Sequence, residues 1–236
     1  LASQSRPIAT YGISDGDWQV RDIVWGERSQ FTIVHDGEDI ARLETGQLGI
    51  HNIENMLGVG AFLLTLGLIT AEQLASGMGS FKGIKRRLDR KTDATSIPVF
   101  EGFGSSYDKA RSAIAAMEQH FPGRELVVVF EPHTFSWRNR ATMHWYDNVF
   151  DGAHKVYVWQ PAEQGAGTHQ QVSQADIIAR IAASGCDVRA LDEAGSAVSE
   201  ISGGLTGNSA VLFLTSGDLG GLIELLPPAI EKTYPV

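Results

Sequence analysis

Three short blocks hold the residues whose types and spacing could do chemistry. The first is Gly49-Ile50-His51-Asn52-Ile53-Glu54-Asn55. Asn52 and Asn55 stand three apart at an expected helix start, so their amides share one face. A carboxamide matches the donor and acceptor edge of an adenine ring. The alternative is an ordinary N-cap at Asn52 followed by a polar first turn. The second block is Ser80-Phe81-Lys82-Gly83-Ile84-Lys85-Arg86-Arg87-Leu88-Asp89, which continues into Arg90 and Lys91. A basic run inside an acidic chain suits a specific anion such as a nucleotide phosphate, or else a solvated connecting segment. An arginine at a hinge can reach a ribose or phosphate oxygen when domains close. The third block is Val127-Val128-Val129-Phe130-Glu131-Pro132-His133-Thr134-Phe135-Ser136-Trp137-Arg138. It reads as a buried strand stopped by proline, then a loop whose His133, Arg138 and nearby Arg140 could receive a phosphate or carboxylate. As a metal site it is poor, because no second His, Asp or Glu recurs at ligand spacing.

The elements that must position these blocks fall into two kinds. Over the first 80 residues, Phe31–Val34 and Ile40–Leu43 flank Asp36-Gly37, a hairpin signal. A helix is expected from Asn52 through Met56, Leu57, Val59, Phe62, Leu63 and Leu66, stopped by Gly67. Thr70 with Gln73 forms a capping box that opens a second helix to about Met78. A hairpin and a helix pair are expected to be the end of a domain rather than a whole one. From Ile97 the pattern alternates. Strands are expected at Ile97–Phe100, Leu126–Phe130, Lys155–Trp159, Asp187–Ala190 and Ala210–Leu214. Helices are expected around Lys109–His120, Arg140–Phe150, Ser173–Ala183 and Asp192–Ile201. Such alternation indicates an α/β domain with a mostly parallel sheet and helices on both faces. Ligands bind beyond the carboxyl ends of such strands. That rim comprises Glu101–Tyr107, Glu131–Arg138, Gln160–Gly167 and Thr215–Gly220.

Composition narrows the function classes. Of 236 residues, 43% are hydrophobic, enough for one large domain or two modest ones. The net charge of −9 offers no global attraction for a nucleic acid, and no stretch is apolar enough to cross a bilayer. A lone cysteine, Cys186, excludes a disulfide framework and suits a buried, inert thiol. The first residues, Leu1 to Pro7, lack the pattern of a secretory signal and do not begin with Met. A fragment or processed chain, working in the cytoplasm, is therefore expected.

In this order and spacing the three blocks resemble the Mur ligase family: its "HNxxN" helix, its "FxGxxRRL" domain junction, and its "F-E/Q-P-H/R" strand end with a following arginine. Phe81–Leu88 and Phe130-Glu131-Pro132 look most like the branch that joins L-alanyl-γ-D-glutamyl-meso-diaminopimelate to UDP-N-acetylmuramic acid in peptidoglycan recycling. Pro132-His133 and Ser216-Gly217-Asp218 lean toward the sister branch that uses L-alanine. The resemblance covers nearly the whole chain. It implies that residues 1–80 end the family's central ATP-binding domain and that residues 81–236 form its C-terminal Rossmann-like domain. It implies an ATP- and magnesium-dependent enzyme, with UDP-N-acetylmuramic acid and a peptide or amino acid as partners. ATP would phosphorylate the muramyl carboxylate, and the acceptor amine would attack the acyl phosphate. By the same carry-over, His51, Asn52, Asn55 and Arg87 would bind ATP. Glu101, Phe103, Ser105, Ser106, His133 and Arg138 would face the acceptor or the transferring phosphate. The three blocks are expected to converge on one bound nucleotide and its activated acyl group.

Two departures qualify the resemblance. No glycine-rich lysine loop occurs in the chain; the family carries it, with the UDP-sugar domain, upstream of the matching region. The chain alone is therefore expected to catalyse no ligation, and none of its residues is assigned as catalytic. Where the family shows two histidines after the first strand of its last domain, this chain has Ser105 and Ser106. Serines hydrogen-bond but carry no titratable ring, and Ser106 is as well suited to capping the next helix. A non-catalytic nucleotide- or partner-binding module fits the same departures. An NAD-dependent oxidoreductase does not fit, because no G-x-G-x-x-G follows a strand. Gly58 and Gly60 fall inside the expected helix, as packing positions.

Overall fold

The Asp36-Gly37 turn organises the first part of the chain. Both residues have positive φ, 49° and 87°, as a type I′ turn requires. The turn joins strand β2 (Ser29–His35) to β3 (Glu38–Thr45), with His35 opposite Glu38. A strand not foreseen from the sequence, β1 (Trp18–Val24), pairs antiparallel with β2 to complete a three-stranded sheet. The structure, a computed structural model, describes residues 9–161 and 171–236. The chain divides into two units between Gly83 and Ile84.

In the first unit, Trp18, Val20, Phe31, Ile33 and Leu43 form one sheet face. It buries against Ile53, Met56, Leu57 and Ala61 of helix α1 (Ile50–Thr65) and Leu74 of α2 (Ala71–Ser80). Helix α1 starts earlier than expected, after Gly49 at φ 90°. Asn52 is therefore not the N-cap; it lies in the first turn and donates Nδ2 to the Leu48 carbonyl at 2.8 Å. Gly67, at φ 63°, ends the helix in a Schellman motif: its N–H reaches the Leu64 carbonyl and that of Leu68 reaches Leu63. The Thr70–Gln73 capping box is formed. Gly58 and Gly60 are packing positions, since an added Cβ would lie 2.7 Å from the Tyr11 ring and 2.9 Å from Leu74 Cδ2.

The second unit is built on a six-stranded sheet. Its strands are β4 (Arg87–Arg90), β5 (Val99–Gly102), β6 (Glu125–Phe130), β7 (Lys155–Trp159), β8 (Asp187–Leu191) and β9 (Ser209–Leu214). They lie in the order β4-β5-β9-β6-β7-β8, all parallel except the β4–β5 pair. The expected mostly parallel α/β fold is present. β6 and β9 are buried almost throughout, as continuous Val/Leu/Phe runs covered on both faces should be. One face packs Val99, Val127, Val129, Val211 and Phe213 against α6 (Ala194–Gly204) and α7 (Leu222–Thr233). On the other, Gly102, Leu212 and Leu214 meet Ala113 of α3 (Tyr107–His120). Ala110, Ala113, Ile114 and Met117 give α3 the buried stripe of an amphipathic helix.

Several local expectations change. Part of the basic run is not a connecting segment but edge strand β4, antiparallel to β5. After the short helix α4 (Phe135–Arg138), residues Arg140–Asp147 form a 3-10 helix rather than an α-helix to Phe150. Its tight turns bring Tyr146 against Trp137 and Phe130, at ring separations of 5.5 and 6.1 Å, and the Tyr146 hydroxyl donates to the Trp137 carbonyl. α6 begins at Ala194 because Glu193 caps it, accepting from the N–H groups of Gly195 and Ser196. Ser173 and Asp176 form a capping box at the start of α5 (Gln174–Ala183). Cys186 is half-buried, and burial raises its thiol pKa. No described helix is long and apolar enough to cross a membrane.

Candidate functional site

The rim at the carboxyl ends of β5, β6 and β9 gathers most of the residues singled out from the sequence. Glu101, next to last in β5, is only 3% exposed. Its carboxylate is occupied by two cations of this unit: Arg86 Nε at 2.8 Å from Oε1 and Lys91 Nζ at 2.8 Å from Oε2. A buried carboxylate needs such partners, because desolvating a lone charge is prohibitive. Burial alone would depress the Lys91 ammonium, but its bonds to Glu101 and Asp89 hold it above the ordinary lysine value. Arg86 goes further. It donates Nη2 to the Gly217 carbonyl at 2.6 Å, and its guanidinium lies 5.5 Å from the Phe103 ring centre. Its backbone sits at φ 67°, a left-handed conformation that costs a non-glycine residue about 1 kcal/mol.

The loop after β5 is pinned on both sides. An added Cβ at Gly104 would fall 2.9 Å from Leu214 Cβ, so only glycine lets the loop run this close to β9. Trp137 Nε1 donates to the Gly104 carbonyl at 2.7 Å and Thr134 Oγ1 to that of Ser105 at 3.0 Å. Phe103 remains exposed, with Lys109 Nζ 5.5 Å from its ring centre. That ammonium also donates to Ser105 Oγ at 3.0 Å. Ser106 occupies the N-cap of α3 by backbone conformation, but its side chain makes no capping hydrogen bond.

The third block folds into a hydrogen-bonded unit. Glu131 is buried, and its Oε2 accepts from the Thr215 hydroxyl and from the Leu219 N–H at 3.4 Å. Its Oε1 stands 3.1 Å from His133 Nδ1. Gly217 passes directly beneath this pair; an added Cβ would lie 2.4 Å from Glu131 Oε2 and 2.7 Å from His133 Nδ1. Arg138 is buried and donates Nε to the His133 carbonyl at 3.1 Å, which folds the loop back on itself. Among the described residues Ser216 Oγ is enclosed with no hydrogen-bond partner.

Glu101, Phe103, Ser105, His133 and Arg138 thus stand on one connected rim, although Glu101 faces Arg86 and Lys91 rather than open space. Arg87 does not join it: its side chain is exposed on β4, and the neighbouring Arg86 makes the rim contacts. His51, Asn52 and Asn55 occupy the first two turns of α1 in the other unit, His51 and Asn55 exposed and Asn52 half-buried. Of the expected rim stretch Gln160–Gly167, residues 162–167 lie outside the described residues. Among the described residues no three His, Cys, Asp or Glu side chains gather as a metal site. Sequence reasoning had Arg86 and Lys91 in the basic run and Glu131 and Thr215 on the expected rim, but gave none of them its present contact, and it passed over Lys109.

A mostly parallel sheet with helices on both faces defines an α/β domain of the doubly wound class, a class in which ligands bind beyond the carboxyl ends of the strands. No family model matches the chain. The UDP-N-acetylmuramate–L-alanine ligase of Oleidesulfovibrio alaskensis is 32% identical over 157 residues, covering 66% of this chain and 34% of that protein. Its namesake in Lactobacillus helveticus is 30% identical over 215 residues, covering 90% and 47%. Among solved structures, the UDP-N-acetylmuramate–alanine ligase of Thermotoga maritima matches with a TM-score of 0.74 at 18% identity, over 95% of this chain and 48% of that one. A murein peptide ligase from Psychrobacter arcticus matches with a TM-score of 0.57 at 19% identity, over 96% and 46%. The chain belongs to the Mur ligase family, and it spans less than half the length of the curated relatives it matches. The tripeptide branch that the motifs favoured is not confirmed as the nearer one, since these sequence relatives are named as L-alanine ligases.

Proposed function

We propose that the protein carrying this chain is an ATP-dependent ligase that forms an amide bond on the carboxylate of UDP-N-acetylmuramic acid, as a step in supplying peptidoglycan precursors. The sequence similarity to UDP-N-acetylmuramate–L-alanine ligases over 90% of the chain carries the reading. When bound, ATP supplies a phosphoryl group that turns the carboxylate into an acyl phosphate. Residues 1–80 would be the end of the ATP-binding domain, with His51, Asn52 and Asn55 at the adenine and Arg87 reaching the nucleotide. Residues 81–236 would receive the acceptor, with Phe103, Ser105, Ser106, His133 and Arg138 lining its place. Glu101 supports that reading by fixing Arg86 at the rim. Among the described residues no three His, Cys, Asp or Glu side chains gather where they could hold magnesium.

L-alanine is the acceptor the sequence relatives favour. The tripeptide L-alanyl-γ-D-glutamyl-meso-diaminopimelate is the second reading, favoured by Phe81-Lys82-Gly83-Ile84-Lys85-Arg86-Arg87-Leu88 and Phe130-Glu131-Pro132. The test uses the protein as its genome encodes it, with ATP, magnesium and UDP-N-acetylmuramic acid. Phosphate release that depends on L-alanine supports the first reading and dependence on the tripeptide the second; release with neither refutes both. The 236-residue chain alone is expected to ligate nothing, and measurable amide formation by it would contradict that assignment.

A further inference from the structure

We propose that Glu131 is a positioning residue that locks His133 in the tautomer protonated at Nδ1, so that Nε2 presents a lone pair at the rim. The proposal rests on the ligase reading only for what that lone pair does, and the tautomer itself stands on geometry. The Glu131 carboxylate is 6% exposed and divides its two oxygens between different tasks. Oε2 is committed to acceptance. The Leu219 N–H can only donate, and the Thr215 hydroxyl, whose oxygen already receives the Gly217 N–H at 2.7 Å, turns its hydrogen to Oε2. A carboxylate offers acceptors only. Oε1 is then also an acceptor, and its partner at 3.1 Å is His133 Nδ1, which must carry the hydrogen. In the neutral ring the hydrogen sits on one nitrogen alone, so Nε2 is left bare.

The neighbouring arginines make their given contacts through other atoms. Arg138 approaches the His133 backbone carbonyl and Arg86 the Gly217 carbonyl, each through a main-chain oxygen. Among the described residues nothing hydrogen-bonds Nε2, and the His133 side chain is 32% exposed. A bare imidazole nitrogen at a rim accepts a proton from a donor such as an amine. In the ligase reading the amine nitrogen forms the new C–N bond while phosphate leaves with the electrons of the C–O bond. The surplus N–H proton passes to Nε2. The resulting imidazolium is held by Glu131 and can return the proton to the departing phosphate.

The same reasoning fixes what Glu131→Gln does. The position facing Leu219 and Thr215 still requires an acceptor, so the new carboxamide places its oxygen there. Its NH2 group is turned to His133 Nδ1, which must now accept, and the ring hydrogen moves to Nε2. Nitrogen-15 and proton NMR of the imidazoles in the 236-residue chain reads this directly, at about pH 8 where an ordinary histidine is neutral. The expected result is the Nδ1–H form in the wild type and the Nε2–H form in Glu131→Gln. A wild-type His133 in the Nε2–H form, or an even mixture, overturns the proposal, and that measurement needs no folded variant. Retention of Nδ1–H in a folded Glu131→Gln also overturns it. Ligation is not read, so failure of the ligase reading and failure of this inference are separate results.

Discussion

Replacing Arg86 by alanine tests whether the rim is held by this residue or by the basic run as a whole. The side chain makes two charge-assisted hydrogen bonds, 2.8 Å to Glu101 and 2.6 Å to the Gly217 carbonyl, and lies 5.5 Å from the Phe103 ring centre. Hydrogen bonds to charged groups contribute about 1.5–3 kcal/mol each. Two facts reduce the sum: Arg86 is 38% exposed, and Lys91 still neutralises Glu101. The left-handed backbone strain is common to arginine and alanine and cancels. The expected loss is about 2–3 kcal/mol, or roughly 5–10 °C in Tm for a unit of this size. Hydrogen exchange of the β5 and β9 amides, followed with a thermal melt of the 236-residue chain, isolates the second unit. Arg87→Ala is the control, since an exposed side chain without these contacts should stay within about 0.5 kcal/mol. Arg86→Gly should cost less than Arg86→Ala, because glycine accepts φ 67° freely. Equal effects of Arg86→Ala and Arg87→Ala would refute the reasoning.

Gly217→Ala should destabilise the second unit by about 1–3 kcal/mol, since its methyl group must push apart the Glu131–His133 pair. Gly207→Ala, with open space around it, should stay within about 0.5 kcal/mol in the same denaturant titration. Glu231 accepts from the N–H groups of Asp93 and Ala94, and these bonds hold its pKa below the ordinary glutamate value. Its contribution is therefore complete above that value and is lost as pH falls through the lower folded value. Glu231→Gln should flatten the acid limb of the stability profile below the ordinary glutamate value. An unchanged limb in acid titrations monitored by circular dichroism would refute this.

What the sequence revealed was local. Asp36-Gly37 dictates its own turn, and Thr70 with Gln73 or Ser173 with Asp176 satisfy helix donors within three residues, so each is readable in place. The runs of Val127–Phe130 and Ala210–Leu214 announce buried strands because both faces are covered. β4 was hidden for the opposite reason: four residues, three of them charged, show no apolar alternation. The pair Pro227-Pro228 concealed α7 by removing two backbone donors from its interior. At the rim, the determining partners are 15, 84 and 131 residues apart, as in Arg86–Glu101, Glu131–Thr215 and Arg86–Gly217. Spacing along the chain carries no trace of such pairings.

The position of β9 has a consequence for how the chain is made. This strand lies between β5 and β6, yet it is the last of the six to leave the ribosome. Until residues 209–214 emerge, β5 and β6 each expose an unpaired inner edge, an invitation to join strands from another molecule. Synthesis that stalls or stops before Ser209 therefore leaves a sheet divided down its middle, and the Glu131 carboxylate waits without the Thr215 hydroxyl that would occupy it. Nascent chains of this length should be aggregation-prone and dependent on chaperones, whereas a few further residues close the gap.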